Sequence, residues 1–102
     1  MYRLSISDHA EQDLDRIIGY IAEKLAAPTA ASDFADAVSD CYDNLESNPY
    51  IYEKCRNAKL EREGYRRAVI KNYVLVYRLN EETKTVIVHR LFYGRQDYAT
   101  LI

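Results

Sequence analysis

Three runs decide the fold: Tyr65-Arg66-Arg67-Ala68-Val69-Ile70, Tyr73-Val74-Leu75-Val76-Tyr77-Arg78-Leu79 and Thr85-Val86-Ile87-Val88-His89-Arg90-Leu91-Phe92-Tyr93. β-branched and aromatic residues dominate each run, and turn residues separate them, so they read as strands. Lys71-Asn72 closes a tight hairpin, and Asn80-Glu81-Glu82-Thr83 a looser one. A two-residue turn sets Ile70 opposite Tyr73 and Arg66 opposite Tyr77. Alternation then places Arg66, Tyr73 and Tyr77 on one face, and Arg67, Val69, Val74 and Val76 on the other. The centres Val74-Leu75-Val76 and Val86-Ile87-Val88 are apolar on both faces. These two strands therefore lie mid-sheet, covered at least in part on both sides.

Working back toward the N-terminus, Tyr2 to Ser7 alternates and reads as a short strand. Ser7 or Asp8 offers a helix cap, with Glu11 three residues after Asp8 as in a capping box. Leu14, Ile17, Ile18, Ile21, Ala22 and Leu25 follow at helical spacing. Pro28 is expected to stop this helix, and Thr29 or Ser32 to start a second. Its inner stripe is Ala31, Phe34, Ala35, Val38, Cys41, Tyr42 and Leu45, and Asn48-Pro49 ends it. Residues 50–63 lack periodicity and read as loop with room for a short extended piece. The expected architecture is α+β: a first strand, a helical hairpin, and an antiparallel three-stranded meander packed against the helices.

The chain has 102 residues, of which 48% are hydrophobic, enough for one modest core in a single domain spanning residues 1–102. Its net charge of −2 is unevenly distributed. Residues 1–51 hold 3 Lys/Arg and 10 Asp/Glu, a net of −7, while residues 52–102 hold 11 and 6, a net of +5. The second half thus suits an anionic or acidic partner, unless the split marks only two differently solvated faces. Cys41 and Cys55 form no disulfide framework and have no zinc-like spacing. No apolar run reaches membrane-spanning length and no signal-peptide pattern opens the chain, so a reducing, cytoplasmic setting is expected.

The residues able to carry chemistry are mostly Arg and Tyr. Arg66 and Arg67 read equally well as forks for phosphate or carboxylate and as a solvated strand end. Tyr73 and Tyr77 read as sheet packing before they read as base-stacking platforms. Arg90, in an apolar strand, needs a partner if buried, and a helix carboxylate would serve. Arg95 and Tyr98 follow Gly94 in a polar tail with no packing reason for their identity. His9 sits in a first helical turn and His89 in a strand, neither beside a plausible nucleophile. Glu11, Asp13 and Asp15 read as a solvated helix face. No phosphate loop, metal-ligand cluster or paired-acid site appears.

The order of strand, helical hairpin, Asn48-Pro49-Tyr50, Gly64-Tyr65-Arg66, Asn72-Tyr73-Val74-Leu75-Val76-Tyr77 and Val88-His89-Arg90-Leu91-Phe92-Tyr93-Gly94-Arg95-Gln96-Asp97-Tyr98 resembles the RelE/ParE family of bacterial toxins. The likeness covers nearly the whole chain. It implies a type II toxin of the plasmid-stabilisation or addiction-module kind. Such a toxin arrests growth until a cognate antitoxin wraps it, and it needs no cofactor and no metal. It also implies one of two targets, DNA gyrase or ribosome-bound messenger RNA. Ribonuclease members are similar to one another in a Gly-Tyr-Arg segment, which here reads Asn72-Tyr73-Val74. The resemblance assigns catalytic roles to Arg67, Arg95 and Tyr98 if the chain cuts RNA. Target- or antitoxin-binding positions are Tyr65, Arg66, Tyr73, Tyr77, Arg90 and Tyr93. With valine at position 74 the expectation leans to gyrase poisoning. The alternatives are a ribosome-dependent mRNA endonuclease, a non-toxic binding module and a general RNA-binding domain.

Overall fold

The computed structural model describes residues 1–94 as a five-stranded sheet with two long helices on one face and a short one on the other. The chain runs β1 (Arg3–Ile6), α1 (Asp8–Gly19), α2 (Pro28–Ser47), β2 (Glu53–Lys54), α3 (Ala58–Arg62), β3 (Tyr65–Ile70), β4 (Tyr73–Asn80) and β5 (Thr85–Tyr93). The sheet order is β1-β5-β4-β3-β2. The meander has the expected register, with Arg66 opposite Tyr77 and Ile70 opposite Tyr73. The sheet is mixed rather than purely antiparallel, because β1 lies parallel to β5 with Leu4 opposite Val86. An open β5 edge would expose a row of unpaired N–H and C=O groups, and β1 satisfies its first half.

Local chemistry sets the element ends. Ser7 caps α1: its Oγ accepts the Ala10 N–H at 3.0 Å and donates to the His89 carbonyl at 2.8 Å. One hydroxyl thus starts the helix and ties it to β5. α1 continues through a π-helical turn, Tyr20–Lys24, and Ala26 then reverses the chain with φ of 48°. Pro28 does not stop the first helix. It is the first residue of α2, where its fixed φ and missing N–H are no handicap. Residues 50–63 contain β2 and one turn of helix, α3. Asn57 caps α3 by accepting the N–H groups of Lys59 and Leu60, and Gly64 at φ of 86° ends the turn.

The sheet is covered on both faces, which explains its doubly apolar strands. Toward α1 and α2 lie Leu75, Tyr77, Val86, Val88 and Leu91, packed on Phe34, Val38 and Leu45. On the far face Val74, Val76 and Phe92 pack with Leu60 of α3, Tyr65 and Cys55. Between Val76 and Tyr77 the β4–β5 register slips: Val76 faces Arg90 and Tyr77 faces Val88, leaving His89 as the extra residue of a bulge. Both cysteines are free and buried. No helix among the described residues is long and apolar enough to cross a membrane.

One acid departs from the expected solvated face. Asp13 is 1% exposed. Beyond Ile6 there is no β1 to pair with β5, and at Leu91 the Asp13 carboxylate takes over, its Oδ2 accepting that N–H at 3.0 Å. Arg90 grips the same carboxylate with both edges of its fork, Nε to Oδ2 at 2.8 Å and Nη2 to Oδ1 at 3.2 Å. Arg16 adds a bond to Oδ1 at 2.9 Å. A helix carboxylate is thus the partner that Arg90 required. Burial by itself would push the Asp13 carboxyl up. Hydrogen bonds from Arg90, the Leu91 N–H and Arg16 outweigh it and hold the group below its ordinary 3.8.

Replacing Asp13 with Ala should cost about 3–5 kcal/mol in urea unfolding, because Arg90 and the Leu91 N–H are left without their buried acceptor. The lowered folded-state pKa places the ionised group's contribution above the unfolded value. That contribution drains away as pH falls below about 4 through the folded value. Asp13→Asn should lack this part of the acid dependence, measured as a flatter midpoint-versus-pH curve than wild type.

Candidate functional site

The tip of the sheet, where the β3–β4 turn meets the end of β5, faces the bend between α1 and α2. Lys71 makes the tight turn with φ of 57°. The Gly94 N–H donates to the Asn72 carbonyl at 2.9 Å, and a Cβ at Gly94 would stand 3.2 Å from that oxygen. Glycine permits this approach, which locks the end of β5 beside the turn. Above it opens a cavity of about 750 Å³ lined by Tyr20, Ile21, Leu25, Ala30, Asp33, Phe34, Lys71, Asn72, Tyr73 and Tyr93. Two smaller concavities of about 340 and 240 Å³ also include Tyr73 and Tyr93 in their walls. Together they make a groove that turns around these two rings.

Aromatic stacking builds its floor. Phe34 and Tyr73 have centroids 5.0 Å apart, and Tyr73 meets Tyr93 edge-on at 5.7 Å. The groove also gathers unusually exposed apolar side chains: Tyr20 is 50% exposed, Leu25 56%, Val69 61% and Tyr93 42%. A concentration of this kind marks a surface built to be covered by another molecule. Two non-glycine residues in the left-handed region, Ala26 and Lys71, and the π-helical turn lie beside it. Such departures from regular backbone collect at binding sites. Lys71, Arg67 and Arg16 stand in the walls against the single carboxylate of Asp33.

Of the positions singled out from the sequence, the groove joins Tyr73, Tyr93 and, at its edge, Arg67. Tyr77 belongs instead to the core: it is fully buried, and its hydroxyl donates to the Pro49 carbonyl at 2.5 Å. Burial pushes that hydroxyl far up in pKa. Tyr65 is 6% exposed, with the Arg78 guanidinium 4.9 Å over its ring and the His89 ring edge-on at 5.1 Å. Arg66 donates to the Tyr52 carbonyl at 2.7 Å and covers the Tyr50 ring. Arg90 is engaged with Asp13. Arg67 pairs with Glu53 at 3.0 Å, while its buried Nε finds no hydrogen-bond partner among the described residues. Arg95 and Tyr98 lie outside the described residues.

Val74 is 2% exposed in the far-face core. His89 is kept toward its neutral form by burial and by the nearby Arg78 charge. Burial raises both thiols, Cys55 to about 11, so neither is an activated nucleophile. Among the described residues no group of three His, Cys, Asp or Glu side chains could hold a metal ion. Tyr20 and Phe34 are groove walls that the strand-centred reading missed. Their signal was positional, since they lie on either side of the bend at Ala26 that separates the two long helices.

Tyr77→Phe should lose about 1–2 kcal/mol of stability by orphaning the Pro49 carbonyl. Tyr93→Ala, at a half-exposed site, should cost under about 1 kcal/mol. Thermal unfolding of the two variants side by side checks that ranking.

Residues 4–98 match the family described as "ParE toxin of type II toxin-antitoxin system, parDE". Three solved structures share the fold. One is the toxin–antitoxin complex RelBE2 from Mycobacterium tuberculosis, 21% identical, covering 90% of this chain and 96% of that one, TM-score 0.63. The chromosomal ParDE system from P. aeruginosa is 18% identical, with 91% and 96% covered and TM-score 0.71. The archaeal RelE–RelB complex from Pyrococcus horikoshii OT3 is 17% identical, with 93% and 97% covered and TM-score 0.60. No curated protein matches significantly by sequence. With nearly its full length matched, the chain belongs to the ParE toxin family of type II toxin–antitoxin systems, within the RelE/ParE group that its sequence resembles.

Proposed function

We propose that this toxin acts on DNA gyrase rather than on ribosome-bound mRNA, and that a cognate antitoxin silences it by laying an apolar segment in the groove around Tyr73 and Tyr93. The target reading is carried by Val74. Cutting RNA in this fold requires positioned cations on the phosphate and a proton acceptor for the 2′-hydroxyl. Where the ribonuclease resemblance expects an arginine, this chain has a valine sealed in the far-face core. Arg67, a second cation of that set, is partly neutralised by Glu53. The antitoxin reading draws on the exposed Tyr20, Leu25 and Tyr93 and on the toxin–antitoxin complexes among the similar folds.

A second reading, ribosome-dependent mRNA cleavage by Arg67 with Arg95 and Tyr98, is favoured by one observation: the buried Arg67 Nε has no hydrogen-bond partner among the described residues, so the guanidinium is not fully engaged by Glu53. Expression of the chain alone in a bacterial host separates these readings. Growth arrest with induced DNA breaks and no new message ends by primer extension is the expected outcome. Ribosome-dependent cuts would replace gyrase with mRNA. Unimpaired growth with soluble protein would leave a non-toxic binding module. Leu25→Asp or Tyr93→Ala should weaken antitoxin binding at least about tenfold, measured by titration calorimetry, as expected for an anchor in a desolvated groove.

A further inference from the structure

The charge division of the sequence becomes, in the fold, a division between two sides of the molecule. From Asp8 to Asp43 every carboxylate except the buried Asp13 is exposed, and only Arg16 and Lys24 offset them on α1, its π-helical extension and α2. The opposite side of the sheet is cationic. Arg67, Arg78 and Arg3 lie on that face by register, since Arg78 opposes Ile87 and Arg3 opposes Thr85, out of step with the helix-facing Val86 and Val88. α3, seated there through Leu60, adds the exposed Lys59 and Arg62, and Arg56 precedes it. Five carboxylates border these six cations: Glu53, Glu61 and Glu63, and, in the concavity beside Arg78, Glu81 and Glu82, of which Glu81 is paired with Lys84. Glu53 is shared between Arg56 at 3.3 Å and Arg67 at 3.0 Å. Stacking on Tyr65 holds the Arg78 guanidinium in place.

We propose that this far face of the sheet, with α3 upon it, contacts the phosphate backbone of duplex DNA. The proposal rests on the gyrase reading, because a toxin docked on an enzyme that carries DNA meets that DNA at close range. The acidic helical layer is repelled by a polyanion and the far face is attracted, so the molecule arrives in one orientation. Guanidinium forks match phosphate oxygens in geometry. An excess of about two positive charges, Lys84 included, supports a weak, salt-sensitive contact without base recognition. The apolar groove lies at the sheet tip, apart from α3, and of the six cations only Arg67 also lines it.

Fluorescence anisotropy of the full chain with a short labelled duplex, at rising salt, tests this directly. The logarithm of the affinity should fall linearly with that of salt, with a slope of about −2. Lys59→Glu combined with Arg62→Glu, both at exposed sites, should weaken binding about tenfold or more and flatten the slope. Asp36→Lys on the helical layer should change affinity less than about threefold. Absence of salt-dependent binding, indifference to the double charge reversal, or tighter binding of a labelled RNA hairpin would each overturn the proposal. A gyrase supercoiling assay on the same samples separates the two readings. Gyrase inhibition without DNA affinity sinks the DNA surface alone, whereas DNA affinity without inhibition sinks the gyrase target and leaves the surface.

Discussion

A single buried carboxylate organises the join between helices and sheet. β1 is only four residues long, and beyond it β5 would present an unpaired edge to the interior. Asp13 fills that position from the neighbouring helix, accepting a strand N–H and a guanidinium fork on one group. Removing an ion pair together with its hydrogen bonds can be harmless, but removing one partner leaves a buried charge uncompensated. The arrangement therefore fixes the angle and depth at which α1 crosses β5. Ile17, Tyr20 and Ile21 lie one and two turns further along the same helix and its extension, and they form one wall of the apolar groove. The groove is thus set out by a polar contact that has no part in its lining.

The strand register was legible because a two-residue turn leaves only one way to pair β3 with β4. The partner of β1 was not, since nothing in Tyr2–Ser7 says which edge of a meander it joins or in which direction. Asp13 was misjudged beside Glu11 and Asp15 on charge alone. Its spacing from Ala10 and Ile17, three and four residues, already placed it on the buried stripe. α3 is too short to show periodicity, and only Asn57 and Gly64 mark its ends. Tyr73 and Tyr93 could be read as candidates from their place on the strands. The groove they share could not, because its other wall depends on a π-helical turn and a left-handed alanine that no spacing rule anticipates.

Covering a sheet on both faces with about one hundred residues requires economy. The helical layer provides most of the core, and α3 covers the remaining apolar strip with a single turn. That asymmetry leaves the far face thinly covered and rich in strand-borne cations, while the acids needed for solubility ride on the long helices. Fold and charge distribution therefore arise from one constraint, the limited number of residues available to each layer.

The bulge at His89 also governs how β5 is read. Before it, alternate residues Val86 and Val88 turn toward the helices; after it, Leu91 does, and Phe92 turns away. The strand is thus two half-strands in opposite phase, joined by one supernumerary residue. Straightening the bulge without removing a residue would send Leu91 and Tyr93 to the wrong side, even with every groove side chain retained, whereas deleting His89 would leave both in place. Along this strand the count of residues carries information that their identities do not.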